Sequence, residues 1–271
     1  MLGFIVPIKP KQHSRNWQLD NLLLERTVKS IFNQKNKNFK VVIVYNDLPE
    51  IKFTAPNLYF QQYHYGDFSI GQIEDWEDRK KWYAPAYAER MMDKGRKILL
   101  GCKLAKELGC TYLMSVDSDD LVSNRLAGFV FDNHFKKSAG WRFVNGYMYE
   151  DGSMIVIKNH QIWGMNGSTH IIREDLVDVP DLETNFKLFD YSLFEGHAYT
   201  LQRIKDFYNE TLETLPFYGV IYTIHKNNHS NVRDIISAPT LKQIVKKIIR
   251  GKLVTKKIRE EFSLYNVMSF F

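Results

Sequence analysis

The feature that most constrains this chain is a short apolar segment that ends in three carboxylates. The segment is Tyr112-Leu-Met-Ser-Val116, and Asp117, Asp119 and Asp120 follow it directly. Its apolar character predicts a buried strand, whereas clustered carboxylates repel one another and are costly to desolvate. A divalent cation would stabilise the cluster, because Mg²⁺ and Mn²⁺ take oxygen ligands from carboxylates and substrate phosphates. The alternative is an acidic surface turn in which Asp120 or Ser123 caps the next helix.

Predicted strands and helices alternate on both sides of this segment. Some stretches have apolar residues at helical spacing, others are short buried runs, and Asp151-Gly152 between two strands is a hairpin signal. The predicted helices are Leu19–Phe32, Arg90–Leu108, Asn124–Phe135 and Tyr191–Tyr208, and the predicted strands are Leu2–Val6, Val41–Tyr45, Leu58–Tyr63, Tyr112–Val116, Arg142–Tyr149, Ser153–Lys158, Thr169–Ile172 and Phe217–Ile224. This order predicts an α/β fold with a mixed, mostly parallel sheet flanked by helices. Such sheets bind ligands at the carboxyl ends of their strands, where the acids lie.

The composition of the chain narrows the class of protein. Its 271 residues allow one large α/β domain or two small ones, and 44% hydrophobic residues suffice for a sizeable core. The two cysteines, Cys102 and Cys110, fall on a helical pattern, so we predict no disulfide framework and a reducing compartment. The chain has no recognisable signal peptide or membrane-spanning run. These observations predict a cytoplasmic protein, free or peripheral at the inner face of the cell membrane.

The positive charge of the chain is concentrated near its end. Residues 240–262 carry eight basic and two acidic side chains, a difference that equals the formal net charge of +6 for the whole chain. The remainder of the chain is therefore neutral. A nucleic-acid reader would be expected to carry a basic face on its body, so no nucleic-acid partner is predicted.

Apolar residues also recur at helical spacing in this basic segment, and they are Leu241, Ile244, Val245, Ile248 and Ile249. A helix of this kind can lie on an anionic membrane, and we predict a peripheral contact through 240–262. The alternative is a helix packed on the body with a solvated basic face. The apolar residues 262–271 predict a second contact or a homodimer element.

The order of the motifs resembles that of GT-A fold glycosyltransferases, most closely the large inverting group called family 2. The matching pieces are Phe4-Ile-Val-Pro7, the helix 27–34, the strand 39–47, Lys94-Gly-Arg96, and the strand 109–116 with Asp117-Ser-Asp-Asp120. The resemblance covers roughly residues 1–232. It implies a Rossmann-like GT-A domain over 1–236, with a donor-binding half at 1–120 and an acceptor-binding half at 121–236. Residues 237–271 would then form a basic C-terminal extension.

The resemblance implies a sugar transfer from a nucleoside-diphosphate sugar to a glycan or lipid-linked acceptor, with Mn²⁺ or Mg²⁺ as the cofactor. A divalent ion would stabilise the leaving diphosphate as a Lewis acid. Asp119 is the first metal-ligand candidate and Asp120 the second. Some GT-A enzymes add a late histidine, for which His225 and His229 are the candidates. Asp117 would hold the ribose hydroxyls or the metal.

Further donor-binding candidates follow from the same resemblance. Pro7 ends the first strand, and Asp47 would face the nucleobase alone, because Asn46 stands where the family usually has another acid. A simple turn acid is the alternative for Asp47. Lys94 and Arg96 are candidates for phosphate contacts, with a solvated helix start as the alternative.

The later half of the chain is predicted to hold the acceptor and the base. Trp163-Gly-Met-Asn-Gly-Ser-Thr-His170 could contact a sugar through Trp163, Asn166 and His170, or could simply connect strands with Trp163 in the core. Family 2 enzymes usually present a Glu-Asp pair further on, whereas this chain has Glu195-Gly196. The general base is therefore left open among Glu195, Asp190 and His197.

Rival functions come from other classes of protein. A non-catalytic nucleotide-sugar-binding or glycan-binding relative is compatible with Gly196. Phosphatases of the haloacid dehalogenase type also use strand-Asp-x-Asp, but usually with Thr or Val where this chain has Leu121, and nearer the N-terminus. A sugar nucleotidyltransferase needs a glycine-rich, arginine-containing loop after the first strand, and Pro7-Ile-Lys-Pro10 is not such a loop.

Overall fold

A computed structural model describes residues 1–64, 85–182, 193–194, 199–225 and 249–267 of this chain, with only the backbone described for 85–87. The helices in these ranges are α1 (Trp17–Phe32), α2 (Pro85–Glu107), α3 (Leu126–Asn133), α4 (Thr200–Tyr208) and α5 (Lys256–Phe262). The strands are β1 (Leu2–Pro7), β2 (Phe39–Tyr45), β3 (Leu58–Gln62), β4 (Tyr112–Ser115), β5 (Leu121–Val122), β6 (Gly140–Arg142), β7 (Gly146–Glu150), β8 (Ile155–Asn159), β9 (His170–Arg173), β10 (Glu213–Thr214), β11 (Val220–Ile224) and β12 (Gly251–Leu253).

Two mixed sheets organise the fold. The larger has seven strands in the order β10-β6-β9-β4-β1-β2-β3, and the smaller has five in the order β12-β8-β7-β11-β5. In the larger sheet β3, β2, β1 and β4 run parallel, and β9 pairs antiparallel with both β4 and β6. The predicted α/β fold class, with a mixed and mostly parallel sheet flanked by helices, is confirmed.

The interior strand β1 is buried on both faces of the larger sheet. Phe4 and Val6 belong to one core cluster, which includes Val28 of α1. Ile5 belongs to the other, which includes residues of α2. Helix α2 approaches β1 closely at Gly101, where a Cβ atom would lie only 2.4 Å from Cγ2 of Ile5. This close approach sets the position of α2 against the sheet.

The predicted strand Arg142–Tyr149 is wrong in its extent, because the chain changes sheets within it. Arg142 ends β6 in the larger sheet, and Gly146 begins β7 in the smaller one. A Cβ atom at Gly146 would lie 2.8 Å from Ile162, so glycine permits the close approach at the crossing. The predicted hairpin across Asp151-Gly152 is confirmed, since β7 and β8 pair antiparallel and Gly152 has a φ of 87°.

The described part of the C-terminal segment packs on the body of the protein. Strand β12 pairs antiparallel with β8. Ile258, Phe262 and Leu264 are buried in a cluster with residues of β5, β7, β8 and β11, and Val267 packs against α1. The domain division at residue 237 stays a prediction, but residues 251–267 are an integral part of the fold. The predicted amphipathic helix falls mainly on 241–248, outside the described residues.

A buried ion pair holds this segment against α1. Arg26 is fully buried, and its Nη1 lies 2.6 Å from Oδ1 of Asp151 in the β7–β8 turn. The same nitrogen donates a hydrogen bond to the carbonyl oxygen of Tyr265 at 2.9 Å. Helix α1, the hairpin and the C-terminal segment therefore meet at one charged contact. Across the described ranges, no helix is both long and apolar enough to span a bilayer.

Candidate functional site

Three of the five residues predicted to bind the donor lie at one edge of the larger sheet. Strands β1, β2, β3 and β4 are parallel, so their carboxyl ends share this edge, which is the usual ligand-binding edge of such sheets. Pro7 ends β1, and the acidic segment that begins at Asp117 follows β4. Asp47 follows β2, is exposed, and its Oδ2 accepts a hydrogen bond from the backbone N–H of Lys11 at 2.7 Å. Asp47 thereby links the exits of β1 and β2.

Asp117 is paired with a lysine of α2. Oδ1 of Asp117 lies 2.5 Å from Nζ of Lys94, and each side chain retains partial exposure. Burial disfavours the charge on Lys94, but the neighbouring carboxylates, Asp117 first, outweigh this and raise its pKa. Lys94, one of the two residues predicted to contact phosphate, therefore lies in the acid cluster and carries a charge.

Asp119 is paired with His225, which is 106 positions away in sequence and lies at an Nε2–Oδ2 distance of 2.7 Å. This contact depends on β11, which ends immediately before His225 and pairs antiparallel with β5, immediately after the acids. Burial opposes ionisation of Asp119, but the hydrogen bond and charge of His225, with Lys9 and Lys94, lower its pKa. One quarter of the Asp119 side chain is exposed, so it is open to a ligand.

Asp120 has a different environment and is completely buried. Its Oδ2 accepts hydrogen bonds from Nδ2 of Asn166 at 2.8 Å and from Oγ of Ser168 at 2.6 Å. Its Oδ1 accepts one from the backbone N–H of Thr223 at 3.3 Å. Burial, followed by the charges of Asp119 and Asp117, raises the pKa of Asp120 well above its usual range. With both oxygens engaged by protein groups, Asp120 is not favoured as the second metal ligand.

Three other predicted site residues lie in the interior. Arg96 is 4% exposed and its Nη2 donates a hydrogen bond to the carbonyl oxygen of Leu182 at 2.8 Å, so a surface phosphate contact is not supported. His170 is 1% exposed within β9, and Asn166 is 2% exposed against Asp120, so neither presents a surface to an acceptor. Their polar character, which suggested acceptor contacts, serves buried hydrogen bonds.

Trp163 keeps the exposure that a sugar platform would need, because it is half-buried. The guanidinium carbon of Arg142 lies 5.0 Å from the centre of its ring, which is a cation–π arrangement. The other predicted residues, Asp190, Glu195, His197 and His229, lie outside the described part of the chain, and their roles stay predictions.

The side chains around Asp119 that could coordinate a metal ion can be compared with the coordination that Mg²⁺ or Mn²⁺ requires. Among the residues with described side chains, no group of three or more His, Cys, Asp or Glu is placed to hold a metal ion. Asp119 and Asp117 offer partly exposed carboxylate oxygens, and His225 offers a ring nitrogen on a buried side chain. Magnesium commonly takes one or two carboxylates and completes its shell with water and substrate phosphates. This donor set fits an ion shared with a bound diphosphate, and does not fit a centre built from protein ligands alone.

Sequence reasoning did not identify Ser168, which belongs to the site, or Lys97, which contacts Ile8 directly after β1. Ser168 contacts the acids through its hydroxyl, although it lay inside the loop already singled out. Lys97 is 1% exposed, and its Nζ contacts the carbonyl oxygen of Ile8 at 3.0 Å and Oδ2 of Asp93 at 2.7 Å. Its position one helical turn after Lys94 was the available signal.

A cavity of about 480 Å³ is lined by Lys35, Asn124, Arg125, Lys257, Glu260 and Glu261. Glu261 is partly engaged, because its Oε1 accepts a hydrogen bond from Oγ of Ser123 at 2.7 Å. The cavity contains none of the acids of the candidate site.

No family profile and no curated protein sequence matches this chain. Among solved structures it is similar to residues 1–349 of S. aureus TarS, with a TM-score of 0.46 and 16% identity over 82% of this chain and 60% of that one. The same protein in complex with UDP-GlcNAc has a TM-score of 0.47 and 16% identity, over 88% of this chain and 61% of that one. The cytidylyltransferase IspD of Francisella tularensis has a TM-score of 0.41 and 9% identity, over 88% of this chain and 98% of that one. This chain thus spans about three fifths of the TarS 1–349 structure.

Proposed function

We propose that the protein is a nucleotide-sugar-dependent glycosyltransferase in which Asp119 and His225 hold a divalent cation together with the donor diphosphate. The observation that carries the proposal is the convergence of Asp117, Asp119, His225 and Lys94 after the carboxyl end of β4. Transfer leaves a diphosphate with growing negative charge, and bound Mn²⁺ or Mg²⁺ would supply Lewis-acid stabilisation to it. A sugar acceptor hydroxyl would attack with inversion at the donor carbon.

Residues of the chain would orient and stabilise the donor. Lys94 holds Oδ1 of the Asp117 carboxylate at 2.5 Å, and Oδ2 of the same carboxylate would accept from the ribose hydroxyls. Lys9 and Lys94 contribute to lowering the pKa of Asp119, while Lys9 itself pairs with Asp20 at 3.0 Å and Lys94 with Asp117 at 2.5 Å. Preorganised positive charge at this place would stabilise the leaving diphosphate without reorganisation during the reaction.

The residues that follow β2 would bind the nucleobase. Oδ1 of Asn46 is buried and has no hydrogen-bond partner within the described part of the chain. An unsatisfied buried acceptor costs about 1–3 kcal/mol, and an N–H of a nucleobase would satisfy it. Asp47 beside it has an oxygen occupied by the Lys11 N–H. We therefore assign base reading to Asn46 together with Asp47.

A panel of nucleotide sugars tests the proposed function. With Mn²⁺ present, we expect donors of one nucleotide class to raise Tm by roughly 5–10 °C at about 100-fold their dissociation constant. Metal-dependent release of the nucleoside diphosphate should accompany this stabilisation. Binding without any turnover would favour a non-catalytic relative, and neither binding nor turnover with any donor would refute the proposal.

The general base gives a second expected result. We expect Glu195→Gln to lower turnover by roughly 10²–10⁴-fold while donor binding persists, because an inverting transfer needs one base within reach of the acceptor hydroxyl. Asp190→Asn and His197→Ala are the matched comparisons under the same steady-state assay. If Glu195→Gln keeps its activity while one of these variants loses it, the role of base passes to that residue.

A further inference from the structure

Three hydrogen bonds, two of them buried and one partly buried, join the acidic segment after β4 to the loop before β9. Oγ of Ser168 accepts from the backbone N–H of Asp117 at 2.8 Å and donates to Oδ2 of Asp120 at 2.6 Å. Nδ2 of Asn166 donates to the same Oδ2 at 2.8 Å. We propose that Asp120, Asn166 and Ser168 form a positioning unit that holds this loop against Asp117. Asp120 then acts through the loop and touches neither metal nor substrate.

The hydrogen-bond donors and acceptors in this unit are mutually consistent. A serine hydroxyl has one proton, and because Ser168 uses it toward Asp120, its lone pairs remain to accept from Asp117. Oδ1 of Asn166 accepts from the backbone N–H of Ser168, so its amide nitrogen must face Asp120. Asp120, Asn166 and Ser168 are each at most 2% exposed. Buried and fully paired polar groups of this kind restrict a loop to one arrangement.

The unit determines what lies beside the Lys94–Asp117 pair. Gly167 is between the two anchored residues of the loop, and a Cβ atom there would lie 3.3 Å from Nζ of Lys94 and 3.5 Å from Oδ2 of Asp117. The loop backbone is thus held close to the pair that the proposed function places at the donor. The inference rests on that function for its catalytic consequence, and on the hydrogen bonds alone for the coupling of the two segments.

The coupling predicts that a swap of functional groups restores what each single change removes. In Asp120→Asn the new amide nitrogen faces either the donors Asn166 Nδ2 and Ser168 Oγ or, in the other orientation, the backbone N–H of Thr223, so hydrogen bonding is lost in both orientations. In Asn166→Asp two carboxylates face each other. The double variant has one carboxylate and one amide again. We expect each single variant to lose roughly 10–100-fold in kcat, with a smaller change in the KM for donor, and the double variant to recover at least about tenfold. A metal ligand at Asp120 would not be restored by this swap.

Amide hydrogen exchange tests the unit without any substrate. We expect Asp120→Asn to accelerate exchange in 113–120 and in 163–170 together, and the double variant to slow both again. Ser168→Ala is the milder variant if a single swap fails to fold, and Ser153→Ala is the control that should change neither segment. Exchange that rises only in the segment carrying the substitution, or a double variant no better than the singles, overturns the inference. A wild-type chain that turns over no nucleotide sugar, but passes this exchange test, refutes the proposed function and leaves the coupling established.

Discussion

Asp119→Asn is expected to lower metal-dependent sugar transfer by at least roughly 10²–10³-fold, the loss typical of removing one group that stabilises developing charge. Asp119 is the acid that combines partial exposure with a histidine at 2.7 Å. Its replacement removes the negative charge that a cation needs, while the amide can still bond to His225. The measurement is steady-state transfer with the donor identified in the panel, at several concentrations of Mn²⁺.

Two controls separate the loss of the cation site from a loss of folding. Asp132→Asn removes an exposed carboxylate on α3 and should leave transfer unchanged. The thermal unfolding of Asp119→Asn should remain cooperative. Full activity of Asp119→Asn, or full activity of the wild-type chain in excess chelator, would remove Asp119 from the metal site.

Phe262→Ala is expected to lower the free energy of unfolding by about 3–5 kcal/mol, which is the usual cost of emptying a buried phenylalanine site. Phe262 is 1% exposed and its ring lies 5.9 Å from that of Tyr147 in an edge-to-face contact. The exposed Lys257 of the same helix provides the matched control, because Lys257→Ala should stay within about 0.5 kcal/mol of the wild type. Equilibrium denaturation measures both, and equal stabilities would contradict the packing of α5.

The same packing predicts the result of deleting residues 251–271. Among the described residues of this range, 251–267, four buried side chains would be lost, and they are Ile258, Phe262, Leu264 and Val267. At roughly 1.5–3 kcal/mol each, their burial is comparable to the whole stability of a typical domain, about 5–15 kcal/mol. We therefore expect the shortened chain to be unfolded or insoluble. The predicted membrane contact of 240–262 is better tested by neutralising its lysines in the full chain.

Local patterns in the sequence were sufficient for much of the fold. Helix α1 was predicted as Leu19–Phe32 and spans Trp17–Phe32, because its apolar spacing and the capping side chain of Asn16 act within one or two turns. Strand β4 was recognisable because its apolar run is short and ends in charge. Such short-range interactions depend only on residues that are near in sequence, and the sequence therefore predicts them.

The path of the chain between the sheets could not be read in this way. Residues 142–149 have the composition of one strand, yet β6 and β7 lie in different sheets. The sequence likewise left open whether the basic tail packs on the body, because the apolar partners of Ile258 and Phe262 lie in β5, β7, β8 and β11. Burial depends on distant partners, and these are known only once the chain has folded.

The acidic cluster of the candidate site shows both what the sequence determines and what the tertiary structure determines. Its presence at the end of a strand follows from the sequence, since adjacent residues create it. The separate environments of its members depend on the tertiary structure: Asp117 contacts Lys94, Asp119 contacts His225, and Asp120 turns inward. Asn166 and His225, 46 and 106 positions from their acids, make two of these contacts. Three neighbouring aspartates acquire different roles because the groups that pair with them come from remote parts of the chain.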